Sequence, residues 1–136
     1  MLGERIGEFK GRITGMRVLP AQGGAARLEV CMEQQGTLLG VECREIGTYV
    51  SVTQPDGSLQ GEAHGVTMTK DGESSTWVAY GTGHFVPGKP GATSWRGCAI
   101  ARTSSAKLSR LNGLCMLFEH ECSADGTTVT RDFEWR

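Results

Sequence analysis

The sequence lacks a surplus of charge of either sign. It has 14 Lys and Arg against 15 Asp and Glu, a formal net charge of -1. A surface that binds nucleic acid needs an excess of basic side chains to neutralise phosphates, and here the charges are spread along the chain rather than grouped. The composition therefore argues against nucleic acid as the main partner.

Long hydrophobic runs are also missing. No stretch approaches the ~20 apolar residues that a membrane-spanning helix requires. The start of the chain, Met1 to Arg5, turns polar at once instead of opening an apolar signal segment. We therefore predict no membrane association and a cytoplasmic location.

Spacings typical of metal sites and disulfide frameworks are absent. The sequence has 5 cysteines, an odd number, without any Cys-x-x-Cys pair, as expected of reduced, semi-buried thiols. The three histidines, His64, His84 and His120, form no His-x-His or His-x-x-x-His pair. We predict neither a metal nor another cofactor. The cysteines are Cys31, Cys43, Cys98, Cys115 and Cys122.

Glycine, by contrast, is abundant. The chain has 20 glycines, roughly twice what an average usage of ~7% supplies, and only 4 prolines. The glycines stand singly among Val, Thr, Ile and aromatic residues, which favour strands. Turn-forming pairs separate these runs, because Asp tolerates left-handed backbone and Gly adopts it freely. The turn signals are 22–25, Asp56-Gly57, Asp71-Gly72 and Asp125-Gly126.

The spacing of these turns predicts an all-β domain over residues 1–136. Short connections favour an antiparallel meander, and about eight strands commonly close into a barrel, which removes exposed sheet edges. A two-sheet sandwich is the alternative. The predicted strands are 8–19, 26–35, 37–44, 46–54, 59–70, 74–86, 93–103, 113–122 and 127–135.

Residues 104–113 interrupt the strand pattern and predict one short helix near the C-terminal end. A serine can cap its start, Leu108 and Leu111 share one face, and Asn112-Gly113 provides a stop. A two-turn helix is not stable alone, so we expect its leucines to rest on the open end of the barrel.

Three successive strands, 59–70, 74–86 and 93–103, carry one face of very small residues with a large aromatic residue near an end. If this face points inward, side chains cannot fill the interior and a ligand cavity results. If it points outward, another subunit can pack closely against it. The small residues are Gly61, Ala63, Gly65, Ala79, Gly81, Gly83, Gly97, Ala99 and Ala101.

The opposite faces of the same strands are larger and polar. If the strands are neighbours, these side chains cluster, and in a cavity they would bind a polar or anionic group. Facing solvent, they form an ordinary polar sheet surface. His120 alternates with Leu114, Met116 and Phe118 on an apolar face. The candidate ligand-binding residues are therefore Glu62, His64, Tyr80, His84, Arg96 and His120.

Some segments resemble a known group of barrels. They are the glycine-studded strands, the Leu-x-Arg-Leu-Asn-Gly segment from Leu108 to Gly113, and the runs 118–121 and 133–136. Together they resemble the calycin-type barrels of the allene oxide cyclase and dirigent group. The resemblance implies a barrel enclosing a hydrophobic cavity that shapes reactive intermediates. No catalytic residue of that group matches a position in this sequence.

These observations leave three functions open. The first is binding of a small, largely apolar molecule inside the barrel, with isomerase or cyclase activity as an extension. The second is a non-enzymatic interaction protein that forms a homodimer through a sheet face. The third is a metal enzyme that uses the three histidines. The sequence names neither the ligand nor a reaction.

Overall fold

The chain forms a closed barrel of eight antiparallel strands. The computed structural model describes residues 2–136, and Met1, the first residue of the predicted domain, lies outside them. Each strand pairs with the next, and β8 pairs with β1, so the predicted closed meander is confirmed. The strands are β1 (Leu2–Gln22), β2 (Ala25–Leu38), β3 (Val41–Thr53), β4 (Leu59–Thr69), β5 (Ser74–Phe85), β6 (Thr93–Thr103), β7 (Cys115–Cys122) and β8 (Thr127–Trp135).

The prediction of three strands, 26–35, 37–44 and 46–54, is wrong. The structure has two strands in this part of the chain, β2 and β3, joined at Leu39 and Gly40. Both residues have positive φ, 53° and 76°, as in the tight turns that suit hairpins. A branched residue such as Leu39 rarely takes this conformation, so the pattern gave no turn signal there. The prediction placed Gly36 between two strands. Gly36 instead lies within β2, where a Cβ would overlap the backbone oxygen of Glu8.

The other predicted turns are confirmed. Gly23 and Gly24 turn the β1–β2 hairpin with φ of 58° and 82°. The three Asp-Gly pairs connect β3 to β4, β4 to β5 and β7 to β8. In the last of them the Asp125 carboxylate accepts the backbone N–H of Thr127 at 3.0 Å, which fixes the turn locally.

The predicted helix over 104–113 is wrong in extent, because only a 3₁₀ turn forms, Ser109–Leu111. The Asn112 side chain bonds both the N–H and the carbonyl oxygen of Thr103, at 3.0 and 2.9 Å. These bonds tie the end of the segment back to β6, leaving no length for a second helical turn. The predicted packing is nevertheless confirmed, because Leu108 and Leu111 are fully buried in the core.

Within residues 2–136 the cysteines are unpaired, so no disulfide crosslinks the barrel. No helix in that range is long and apolar enough to cross a membrane.

The small-residue faces of β4, β5 and β6 point into the barrel. Ala79, Ala99 and Ala101 are buried, whereas their neighbours Val78 and Ile100 are about half exposed on the outside. Aromatic rings take up part of the space that the glycines leave. Trp77 lies against Gly47 and Gly65, Trp95 against Gly61 and Gly83, and Phe118 against Gly81 and Gly97.

Candidate functional site

A cavity of about 80 Å³ remains inside the barrel. One water molecule needs roughly 10–15 Å³ on this scale, so the cavity can hold a molecule of several non-hydrogen atoms. Its walls are mostly small or aromatic, including Gly61, Ala63 and Ala99 beside Trp77 and Trp95. The small side chains create the space, and the rings make its surface apolar.

Tyr49, on β3, belongs to an aromatic layer of this cavity. Its ring centroid lies 5.6 Å from that of Trp95 and 6.2 Å from that of His120, both in edge-on geometry. Burial raises the pKa of Tyr49 well above its ordinary value. Its hydroxyl therefore stays protonated at neutral pH and can donate a hydrogen bond.

Two carboxyl groups, Glu45 on β3 and Asp132 on β8, line the same cavity, and no Lys or Arg among residues 2–136 lines it. Burial, and then the nearby charge of Asp132, raises the pKa of Glu45 to about 8, against a hydrogen bond from Thr67. Burial raises the pKa of Asp132 to about 7. Near neutral pH the pair therefore retains a proton.

A buried chain of polar side chains runs from Gln34 to His120. The side-chain oxygen of Gln34 lies 2.8 Å from the Thr128 hydroxyl and 2.9 Å from the Thr130 hydroxyl. The Thr130 hydroxyl in turn lies 2.7 Å from His120 Nδ1. The chain occupies Nδ1 and leaves Nε2 as the ring nitrogen that a ligand can contact, while Gln34 Nε2 is buried without a partner among residues 2–136.

The Nε2 atom of His120 is buried and has no hydrogen-bond partner among residues 2–136. Burial lowers the pKa of His120 to about 4, so the ring is neutral at neutral pH. Trp77 also lines the cavity, and its Nε1 is a buried donor without a partner among residues 2–136. A buried polar atom without a partner is uncommon in a folded protein, and a ligand is one way of satisfying it.

The structure places five of the six predicted site residues on the outer surface of the barrel. Glu62 and Tyr80 are paired across β4 and β5, and Arg96 forms ion pairs with Glu119 at 3.2 Å and Glu121 at 2.7 Å. Of the candidates only His120 lines the cavity. Those on the outside are Glu62, His64, Tyr80, His84 and Arg96.

Sequence reasoning missed Glu45, Tyr49 and Asp132. The predicted break between 44 and 46 removed Glu45 from any strand face and so concealed its alternation with Tyr49. Asp132 continues the alternation of Thr128 and Thr130 in β8. An acidic residue on the same face as buried threonines was the available signal.

The three histidines do not come together, because His64 and His84 lie outside and His120 inside. Within residues 2–136 no group of three or more His, Cys, Asp and Glu side chains is placed to hold a metal ion. The arrangement on which the histidine-metal hypothesis depended is therefore not formed by these residues.

Fold and site together define an eight-stranded antiparallel barrel with an apolar internal cavity that contains acids. Two solved structures share the fold. A conserved protein of unknown function from Rhodopseudomonas palustris superposes with a TM-score of 0.81 at 14% identity, over 98% of this chain and 97% of that one. A protein of unknown function from Clostridium acetobutylicum superposes with a TM-score of 0.82 at 11% identity, over 96% of each chain.

No protein-family model matches the sequence, and no curated protein does. At such identities the two structures establish the barrel fold and nothing about activity. None of these comparisons connects the chain to the allene oxide cyclases.

Proposed function

We propose that this barrel binds a small, largely apolar molecule in its internal cavity. The observation that carries the proposal is the inward orientation of the small-residue faces of β4 to β6, which leaves about 80 Å³ open among apolar walls. Protein interiors are normally packed to crystal-like density, and apolar pockets with a few polar groups are the usual form of ligand sites.

The first test is xenon binding, since xenon enters apolar cavities of this kind. We expect saturable ¹²⁹Xe shifts with the wild type and their loss in Ala99→Leu, which fills the cavity. Ile100→Leu is the matched control, because Ile100 is the next residue on the same strand and points outward. Native mass spectrometry of protein from its own host would then identify any bound molecule.

Absence of xenon binding in folded wild-type protein would overturn the proposal. Equal binding by Ala99→Leu would place the xenon elsewhere and overturn it as well.

A finer version of the proposal adds proton-transfer chemistry, such as isomerisation or cyclisation, in line with the resemblance to allene oxide cyclases. It is supported by the neutral His120 and the proton-holding Glu45 and Asp132 pair, all of which line the cavity. Environments that push pKa values apart in this way supply both a base and an acid. Its test is turnover of the co-purified molecule by the wild type and by His120→Gln, and equal turnover would count against it.

The second candidate function is homodimerisation through the outside of the barrel. It is favoured by exposed apolar side chains on the neighbouring strands β3 to β6, namely Ile46, Val66, Val78 and Ile100. The small-residue face itself is unavailable to a partner, because it points inward.

A further inference from the structure

We infer that the molecule bound in the cavity is a small organic ammonium ion with an apolar body. This inference rests on the proposed function and names the class of its ligand. It is drawn from the acceptors, the rings and the charge of the cavity wall.

The cavity wall carries two carboxyl groups and one imidazole nitrogen without a hydrogen-bond partner. Once ionised, Glu45 and Asp132 are hydrogen-bond acceptors only. His120 is 5% exposed and its Nε2 has no partner in the described chain, so a buried polar atom of the wall is left for a ligand. An ammonium group has three N–H donors and no acceptor, so it complements ionised carboxylates.

The charge of the wall is complementary to a cation. Two carboxyl groups line the cavity, and no Lys or Arg side chain of the described chain lines it. Neither carboxyl forms an ion pair with another described side chain. A buried carboxylate is costly unless it is paired, and a ligand cation provides the missing partner.

The aromatic rings favour the same ligand class. Trp77, Trp95, Phe118 and Tyr49 all line the cavity. The faces of such rings attract cations through their quadrupoles, and rings combined with acids form the usual receptor for alkylammonium groups. The apolar walls between them, from Ala63 to Ala99, would hold the hydrocarbon part.

Binding of a cation must displace the proton that the carboxyl pair holds near neutral pH. The other titratable side chains that line the cavity are His120, which is neutral there, and Tyr49, whose pKa burial raises. Burial also raises the pKa values of the thiols of Cys43 on β3 and Cys122 on β7. None of these gains or loses charge between pH 6.5 and 8.5. Affinity for an ammonium ion should therefore rise over this interval, whereas affinity for a neutral molecule that accepts the carboxyl proton should fall.

The test compares isobutylamine with isobutanol by isothermal titration calorimetry at pH 6.5 and pH 8.5. The two probes have the same carbon skeleton, and the amine stays protonated at both values, like a Lys side chain. We expect the amine to bind at least tenfold more tightly than the alcohol at pH 8.5 and more weakly at pH 6.5. Glu45→Gln and Asp132→Asn should abolish the preference, whereas Glu62→Gln, on the outer surface, should keep it.

Each outcome separates the two proposals. If xenon binds and the alcohol equals or exceeds the amine, the cavity function stands and the ammonium inference is overturned. If xenon does not bind to the folded wild type, the proposed function itself fails. Xenon binding by the Gln and Asn variants verifies that they are folded, so a lost preference is then specific to the carboxyl groups.

Discussion

Glu45 and Asp132 are acids placed where the solvent cannot stabilise their charge. An ionised carboxylate without a partner is expensive to bury, and proteins usually respond by keeping the group protonated. The raised pKa values of both groups follow from that cost. The folded state therefore accommodates the pair in its neutral form and loses stability when both groups ionise.

The stability of the protein should consequently fall as the pH rises from 6.5 to 8.5. In this interval the folded chain holds protons, with pKa values of about 8 and about 7, that the unfolded chain has already lost at about pH 4. Because the folded state binds more protons, the free energy of unfolding decreases as the pH rises. Below pH 6.5 His120 acts in the opposite direction, since its folded pKa of about 4 lies below its unfolded value.

Urea unfolding at pH 6.5, 7.5 and 8.5 measures this slope. Glu45→Gln should reduce it, and the double variant Glu45→Gln/Asp132→Asn should flatten it, because amides do not ionise. Glu62→Gln should leave it unchanged. A wild-type slope that persists in the double variant would show that the buried pair is not its source.

The glycines of the barrel serve two different purposes. At Gly97 an added Cβ would lie 2.7 Å from the Gly81 Cα and from the Phe118 ring, so the position requires the absence of a side chain. At Gly15, in β1, the same Cβ meets nothing within 4 Å. Close packing therefore requires glycine at Gly97, whereas packing sets no such requirement at Gly15.

At the scale of elements, the β6–β7 connection closes one end of the barrel. Leu108 and Leu111 are both fully buried and pack with Ile6, Leu38 and Met116. The segment is anchored at both ends, by Ser105 Oγ accepting the Leu108 N–H at 3.3 Å and by the Asn112 bonds to β6. A short irregular segment thus covers this end of the barrel, where a helix was predicted.

Leu108→Ala should destabilise the protein by about 2–5 kcal/mol, the usual cost of removing a buried leucine side chain. Arg110→Ala, in the 3₁₀ turn that follows Leu108, is the control. Arg110 pairs with Glu134 at 2.6 Å but is half exposed, so its loss should cost no more than about 1 kcal/mol. Urea unfolding measures both, and equal effects would contradict the assignment of Leu108 to the barrel core.

At the scale of the whole molecule, the outside of the barrel combines ion pairs with apolar side chains. Arg96 with Glu119 and Glu121 covers part of β6 and β7. Val78 and Ile100 face each other across β5 and β6, 49% and 54% exposed. Exposed apolar residues that adjoin one another are more informative than scattered ones, because contiguous patches mark interaction sites.

If the homodimer hypothesis is correct, sedimentation velocity should show a concentration-dependent dimer that Ile100→Lys dissociates. A lysine at this position would place a charge in the contact. Thr14→Lys, an exposed position on β1, should leave the association unchanged. A wild type that stays monomeric at all concentrations would contradict the homodimer hypothesis. It would not affect the proposals about the cavity.

The sequence by itself determined the strand class, most of the turns and the burial of the Leu108–Leu111 face. These depend on local chemistry: glycine at left-handed turns, β-formers between them and the i,i+3 spacing of two leucines. At Leu39 the sequence contains no typical turn residue, and the predicted division of residues 26–54 into strands was wrong there. The length of the 104–113 helix was also wrong, because contacts between Asn112 and Thr103 decide it.

Only the tertiary structure decided which face of each strand is the inner one. Alternation divides a strand into two faces but does not say which side the barrel closes on, and three neighbouring strands with small residues on one face fit either choice. Closure placed those residues inside, moved Glu62, His64, Tyr80, His84 and Arg96 to the surface, and left His120 within. It also brought Glu45 from β3 and Asp132 from β8 to one cavity, a proximity that depends on β8 pairing with β1.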